Sequence, residues 1–358
     1  MTSVLESDGR QRGVYFTADD LLDTHFPEPR WAVPGLIAEG LTLLAGAPKL
    51  GKSWLCLDLG ISIATGTPAL GKIDTLQGDV LYAALEDPPR RLKSRLRKIL
   101  DGDRAPGNLA LVTELPSMVV ALDMIAEWLE GHPDARLVVI DVLAKVRPAA
   151  APGTSAYEAD YAVLSSLKKL ADTYRVAVVV VTHLRKMEAT DVFDQVSGST
   201  GLTGGADATL VLKRARGDNA ASMHVTGRDI VESEYAVTFN PDRCTWTLDG
   251  DALADAAKKA ATNRVSDGLG DKSAEIIALL AQHPNGIGPT AVGATVGMTA
   301  QNAGTYLQRL EAAGRVTKVG RGRYALVESV ESVESEMDNV VPFHTSNTFH
   351  TPFGGDEA

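Results

Sequence analysis

Apolar residues along the chain arrive in short unbroken runs rather than in strict alternation. LTLLA (41–45), VLYAAL (80–85), LVVI (137–140), VAVVVV (176–181) and ATLVLK (208–213) are rich in aliphatic and β-branched residues. Such runs predict strands covered on both faces. Stretches of helical character fall between them, at 53–64, 88–100, 122–130 and 156–174. Strands alternating with helices predict an α/β fold with a mainly parallel sheet and right-handed crossovers.

The pattern changes after Lys213. Residues 221–230 and 234–240 read as an antiparallel hairpin, and 244–248 as one more strand. Residues 251–272, rich in Ala, Lys, Asp and Gly, read as a linker with some helix. A separate small unit is predicted over 273–327, with helices at 274–282, 289–297 and 299–314, then a basic hairpin at 315–326 turned by Gly320-Arg321-Gly322. Three helices and a hairpin in that order predict a winged helix-turn-helix. Residues 1–30 form a polar N-terminal segment with one short helix over 17–26, and 31–250 form the α/β core. Residues 328–358 lack periodicity and predict a disordered acidic tail.

Composition fits this division. With 358 residues, 44% hydrophobic and 23% charged, there is material for a large core domain plus a smaller one. The formal net charge of -11 argues against indiscriminate coating of nucleic acid or of an anionic membrane. Much of that charge is local: Glu328, Glu331, Glu334, Glu336, Asp338, Asp356 and Glu357 sit in the tail, which has no Lys or Arg. Two cysteines, Cys56 and Cys244, give neither a disulfide framework nor a metal cluster. The opening residues have no apolar signal-like stretch, and no run is long enough to span a bilayer. A cytoplasmic protein is expected.

The strongest chemical signal is Gly46-Ala47-Pro48-Lys49-Leu50-Gly51-Lys52-Ser53, followed by Trp54. It matches the phosphate-binding loop (P-loop) pattern and lies between a predicted strand and a predicted helix, where the mechanism needs it. Gly46 and Gly51 let backbone N–H groups point at phosphates, and the helix N-terminus adds its dipole. Lys52 is placed to reach the β- and γ-phosphates, and Ser53 offers a hydroxyl to Mg²⁺, so ATP and Mg²⁺ are the expected ligands. Asp141 ends LVVID and is the candidate Walker B acid for the same metal. Glu86 ends VLYAALE and is the candidate for orienting the attacking water. Its neighbour Asp87, before Pro88-Pro89, reads as a helix N-cap. Thr182-His183 ends the next strand, where a polar group can sense the γ-phosphate. Helix 88–100 carries Arg90, Arg91, Lys93, Arg95, Arg97 and Lys98 opposite an apolar stripe, and reads as a solvated basic face.

Together these segments resemble the RecA-like ATPases, and within them the RepA-type hexameric replicative helicases related to DnaB. The resemblance is carried by 35–53, 80–96, 137–146, 178–186 and 197–217, and spans about residues 30–245. It implies a homo-oligomeric, hexameric ring with ATP between subunits and an arginine supplied in trans. Arg214 matches that position best and Arg216 is the second choice. It also implies a segment near 186–203 that faces single-stranded DNA, although Glu188, Asp191 and Asp194 there are not the basic lining such a channel uses. Two readings follow: a helicase or translocase of DNA replication or repair, or an ATP-switched regulator or loader that holds duplex DNA with the winged helix. For the second, Gln301, Asn302 and Tyr306 are groove candidates, and Arg315, Lys318, Arg321 and Arg323 phosphate candidates. A signalling ATPase acting on proteins is a third reading with no feature of its own.

Overall fold

The computed structural model describes residues 17–146, 156–184, 191–196, 204–215, 217–266 and 270–327. Arg216, most of the segment 185–203 and the tail 328–358 lie outside the described residues. The chain divides into two compact units, Met1–Ser233 with Thr238–Thr247, and Glu234–Val237 with Leu248–Ala358.

The first unit opens with helix α1 (Ala18–Asp23), whose Thr17 and Asp20 form a capping box. A small antiparallel pair follows, β1 (Trp31–Val33) with β2 (Ile37–Ala38). Then come β3 (Gly40–Gly46), α2 (Lys52–Thr65), β4 (Asp79–Ala84), α3 (Pro89–Leu100), β5 (Leu109–Val112), α4 (Met118–Glu130), β6 (Ala135–Asp141), α5 (Ala156–Tyr174), β7 (Ala177–Val181) and β8 (Ala208–Arg214). Strands β9 (Ala220–Gly227), β10 (Ser233–Asn240) and β11 (Thr245–Leu248) complete a nine-stranded sheet of order β11-β10-β9-β8-β3-β7-β6-β4-β5. From β8 to β5 every pairing is parallel, while β9 runs antiparallel to β8.

Both faces of β3 are covered, which explains its unbroken apolar run. Leu41, Leu43 and Ala45 join Ile125 of α4 and Leu164 and Leu167 of α5 in one core cluster. Leu44, pointing the other way, packs with Leu55 and Leu59 of α2. Strand β5 was not legible in the sequence. It is four residues long, sits at the sheet edge and is only half buried, so it lacks the run that marked the other strands.

The second unit corrects one boundary. Residues 251–272, read as a linker with some helix, contain the 14-residue helix α6 (Leu253–Ser266). Its Ala-rich sequence favours helix, and Ala256, Ala260 and Val265 are buried. Helices α7 (Asp271–Ala281), α8 (Pro289–Val296) and α9 (Ala300–Ala312) follow, then the antiparallel hairpin β12 (Val316–Gly320) and β13 (Arg323–Leu326). Val265, Ile276, Leu280, Val292, Leu307, Leu310 and Tyr324 share a single core. Helix α6 is therefore part of this unit and not a tether to it.

Candidate nucleotide site

Parallel strands of similar length bring their carboxyl ends to one edge of the sheet, where ligands of open α/β sheets bind. The register places Gly46 of β3 beside Leu212 of β8, Leu44 beside Val181 of β7, and Ala84 of β4 beside Asp141 of β6. Strand β7 lies between β3 and β6, so His183, just past its end, stands between the P-loop and the Walker B candidate. Backbone bonds lock the tips together: Thr182 N–H donates to the Leu44 carbonyl (2.9 Å), and Leu85 N–H to the Asp141 carbonyl (2.8 Å).

The loop between β3 and α2 spans residues 47–51. Ala47, Pro48 and Lys49 are exposed, whereas the Leu50 side chain is buried. Gly51 begins the helix at φ 111°, and a Cβ there would sit 3.1 Å from Cζ2 of Trp246. A side chain there would be strained by the backbone and would press on the indole. At Gly46 a Cβ would meet the Leu212 carbonyl at 2.9 Å.

Lys52 is buried under this loop. Its Nζ donates to the carbonyls of Gly46 (2.7 Å) and Ala47 (3.0 Å) and lies 3.3 Å from His183 Nδ1. Burial pushes the ammonium down to about 8, against the attraction of Asp141, Cys56 and Glu86. His183 is also held below its ordinary value, first by burial and then by the Lys52 charge. The neutral ring can accept from Lys52.

Asp141 is 3% exposed. The Tyr82 hydroxyl donates to its Oδ2 at 2.7 Å. Ser53 also approaches the carboxylate, without satisfying Oδ1, which has no hydrogen-bond partner among the described residues. Burial raises this carboxyl, while Ser53, Tyr82 and the Arg95 charge hold it down. A buried carboxylate oxygen left open beside a P-loop serine fits a Mg²⁺ ion, which binds few protein groups and completes its shell with water and phosphate oxygens. Such a site needs no cluster of three His, Cys, Asp or Glu, and none occurs among the described residues.

Glu86 is exposed in the turn after β4. Asp87 is not an N-cap: Pro88 takes that position with no side-chain cap. The Asp87 carboxylate is buried and paired with Arg91 and Arg95 instead. Arg214 stacks its guanidinium on Phe239 (4.4 Å) and Trp246 (5.5 Å) of its own chain. Several participants carried no local signal in the sequence. Tyr82 is one of a run of apolar strand residues. Trp246 donates its indole N–H to the Gly51 carbonyl (3.2 Å) and its backbone N–H to Asp58 (3.2 Å) from nearly two hundred residues away. Arg95, read as part of a solvated face, has a side chain only 19% exposed.

A largely parallel sheet whose strand tips gather a P-loop, a buried acid and a histidine is the arrangement of a P-loop ATPase. The family model described as the AAA domain matches residues 10–189, half of the chain, and the chain belongs to that family. Among solved structures, the "ATPase Domain of G40P" is 17% identical with a TM-score of 0.48, covering 58% of this chain and 84% of that one. The structure titled "The Structure Of A DnaB-Like Replicative Helicase And Its Interactions With Primase" is 17% identical with a TM-score of 0.47, covering 58% of this chain and 57% of that one. No curated protein matches the chain. No helix among the described residues is long and apolar enough to cross a membrane.

Proposed function

We propose that the protein is a Mg-ATP-hydrolysing ring ATPase of DNA replication or repair, working as a RepA-type helicase or translocase. The observation that carries the ATPase reading is the convergence of Lys52, Asp141 and His183 on one edge of the sheet, with Glu86 on the adjoining turn. Lys52 exchanges its bonds to the Gly46 and Ala47 carbonyls for phosphate oxygens, with the backbone N–H groups of 47–54 cradling the same phosphates. Ser53 and Asp141 would hold Mg²⁺, which would neutralise charge on the phosphates. Glu86 orients the attacking water, and His183, in contact with Lys52, registers whether the γ-phosphate is present. Arg214 is the candidate trans arginine; stacking on two aromatic faces holds it at the strand tip while leaving its in-plane N–H groups for phosphate.

Support for a channel for single-stranded DNA comes from the sequence resemblance. A second reading, an ATP-switched regulator or loader, draws on the C-terminal unit as a winged helix on duplex DNA. Gln301 and Asn302 are exposed on α9, as a groove-reading helix requires, whereas the third groove candidate, Tyr306, is half-buried against the core. The hairpin charges weigh against it. Lys318 pairs with Glu311 (3.1 Å), Arg315 donates to the Arg264 carbonyl, and Arg323 donates twice to the Gly286 carbonyl. The deciding measurement is ATP turnover with and without single-stranded DNA, on wild type and Glu86→Gln, with mass by light scattering. DNA-stimulated turnover by a ring, lost in Glu86→Gln, supports the translocase. Turnover indifferent to single strands moves the reading to the regulator, and nucleotide binding with no turnover sinks the enzyme.

A further inference from the structure

We propose that Arg95 is a positioning residue for Glu86, clamping the turn that carries it onto the first turn of the P-loop helix. The proposal rests on the reading of Glu86 as the group that orients water.

The geometry begins with Asp87. Its carboxylate side chain is only 6% exposed. Such a group needs strong partners, and it has two. Arg91 Nη1 approaches Oδ1 at 3.2 Å and Arg95 Nη1 approaches Oδ2 at 2.5 Å. They are not equivalent. The Arg91 side chain is 60% exposed and shares its charge with solvent, whereas that of Arg95 is 19% exposed. Arg95 also lays its guanidinium over the Trp54 ring, 5.1 Å from its centroid. Trp54 directly follows Ser53 in the first turn of α2.

One guanidinium thus joins the residue after Glu86 to the residue after Ser53. The backbone of the turn is held firmly only before Glu86, by the 2.8 Å bond from Leu85 to Asp141; the bond after it, from Asp87 to Ala84, is 3.4 Å. The Arg95 link secures the far side. A fork-shaped, planar cation can pair with a carboxylate at its edge while stacking by its face, fixing both geometries with one rigid group, where a lysine offers a single point charge on a flexible stem.

The test is steady-state ATP turnover of the full chain, with ADP binding measured separately. Arg95→Ala is expected to lower kcat by about tenfold to a hundredfold, as small misplacements of catalytic groups do, with KM and ADP affinity within about threefold of wild type. Arg95→Lys should recover part of the loss, and Arg91→Ala should stay within about threefold. Combining Arg95→Ala with Glu86→Gln should cost no more than Glu86→Gln alone, because one acts through the other. A raised KM with unchanged kcat, wild-type turnover in Arg95→Ala, or losses that multiply in the double variant would overturn the clamp. If Glu86→Gln itself turns over normally, the water-orienting reading fails and the clamp's role with it. If Glu86→Gln stops turnover and Arg95→Ala does not, only the clamp fails. Should Arg95→Ala not fold, Arg95→Lys and Asp87→Asn give the same kcat-against-KM readout.

Discussion

The indole N–H of Trp246 donates to the carbonyl of Gly51 at 3.2 Å, and the ring fills the space a Gly51 side chain would need. The P-loop helix is thereby fastened, at its N-cap, to β11 at the far edge of the sheet. The Trp246 backbone N–H adds a second tie to Asp58 of the same helix. Trp246→Phe keeps the ring but removes the indole donor. It should cost about 1 kcal/mol of stability and weaken ATP binding, measured by thermal unfolding and nucleotide titration. Gly51→Ala should be worse than the lost bond, because it adds a steric clash to about 1–3 kcal/mol of left-handed strain. A Gly51→Ala protein that binds ATP normally would show that the loop relaxes freely around the indole.

Lys52 is a buried cation held by carbonyls and a neutral histidine. Lys52→Met keeps most of its volume and removes the buried charge. Without nucleotide, the variant should melt no lower than wild type, yet bind ATP at least about a hundredfold more weakly. The pH dependence follows from its depressed pKa of about 8. Phosphate binds the charged form, so affinity is flat below that value. Above it, binding must take up a proton, and affinity should fall by up to about tenfold per pH unit. Titrating ADP between pH 7 and 9.5 reads this directly.

Asp58 gives a stability prediction with a definite sign. Burial raises its carboxyl from 3.8 to about 6, despite the Trp246 N–H and the Arg243 charge. Between those values the folded chain holds a proton that the unfolded chain has lost, so stability from this group falls as pH rises from about 4 to 6. Asp58→Asn can still accept from Trp246. It should match wild type near pH 4 and be more stable by about 2 kcal/mol at pH 7, seen as a higher melting temperature only at the upper pH.

Asp141→Asn should fold, because the amide oxygen can accept from Tyr82 as the carboxylate does. What it removes is the charge that would face Mg²⁺ in the proposed site. Nucleotide binding without metal should change little, while Mg-dependent turnover should drop by about a hundredfold or more. Equal losses with and without Mg²⁺ would remove Asp141 from the metal site.

How much was legible in the sequence depended on range. The P-loop could be read because its residues act through local backbone geometry. Gly46, Gly51, Lys52 and Ser53 lie within eight positions, between a strand and a helix that their own apolar patterns announce. Asp141 and His183 were legible as polar residues ending apolar strands. Asp87 was misread because Pro88-Pro89 supplies a helix start in any context, while its true partners, Arg91 and Arg95, depend on which face of α3 turns inward. Arg95 looked like its five basic neighbours on that helix until packing left it beside Trp54.

The sequence by itself determined that the chain builds a parallel sheet and carries a phosphate-binding loop at one strand end, since short apolar runs and glycine-bounded turns act over a few residues. Only the tertiary structure decided which strands became neighbours. Strand β7 lies between β3 and β6, which brings His183 to Lys52, and the sheet extends to β11, which lays Trp246 against Gly51. Those pairings join positions 131 and 195 residues apart. They are set by the packing of whole helices on whole strands, a property no local stretch of residues contains.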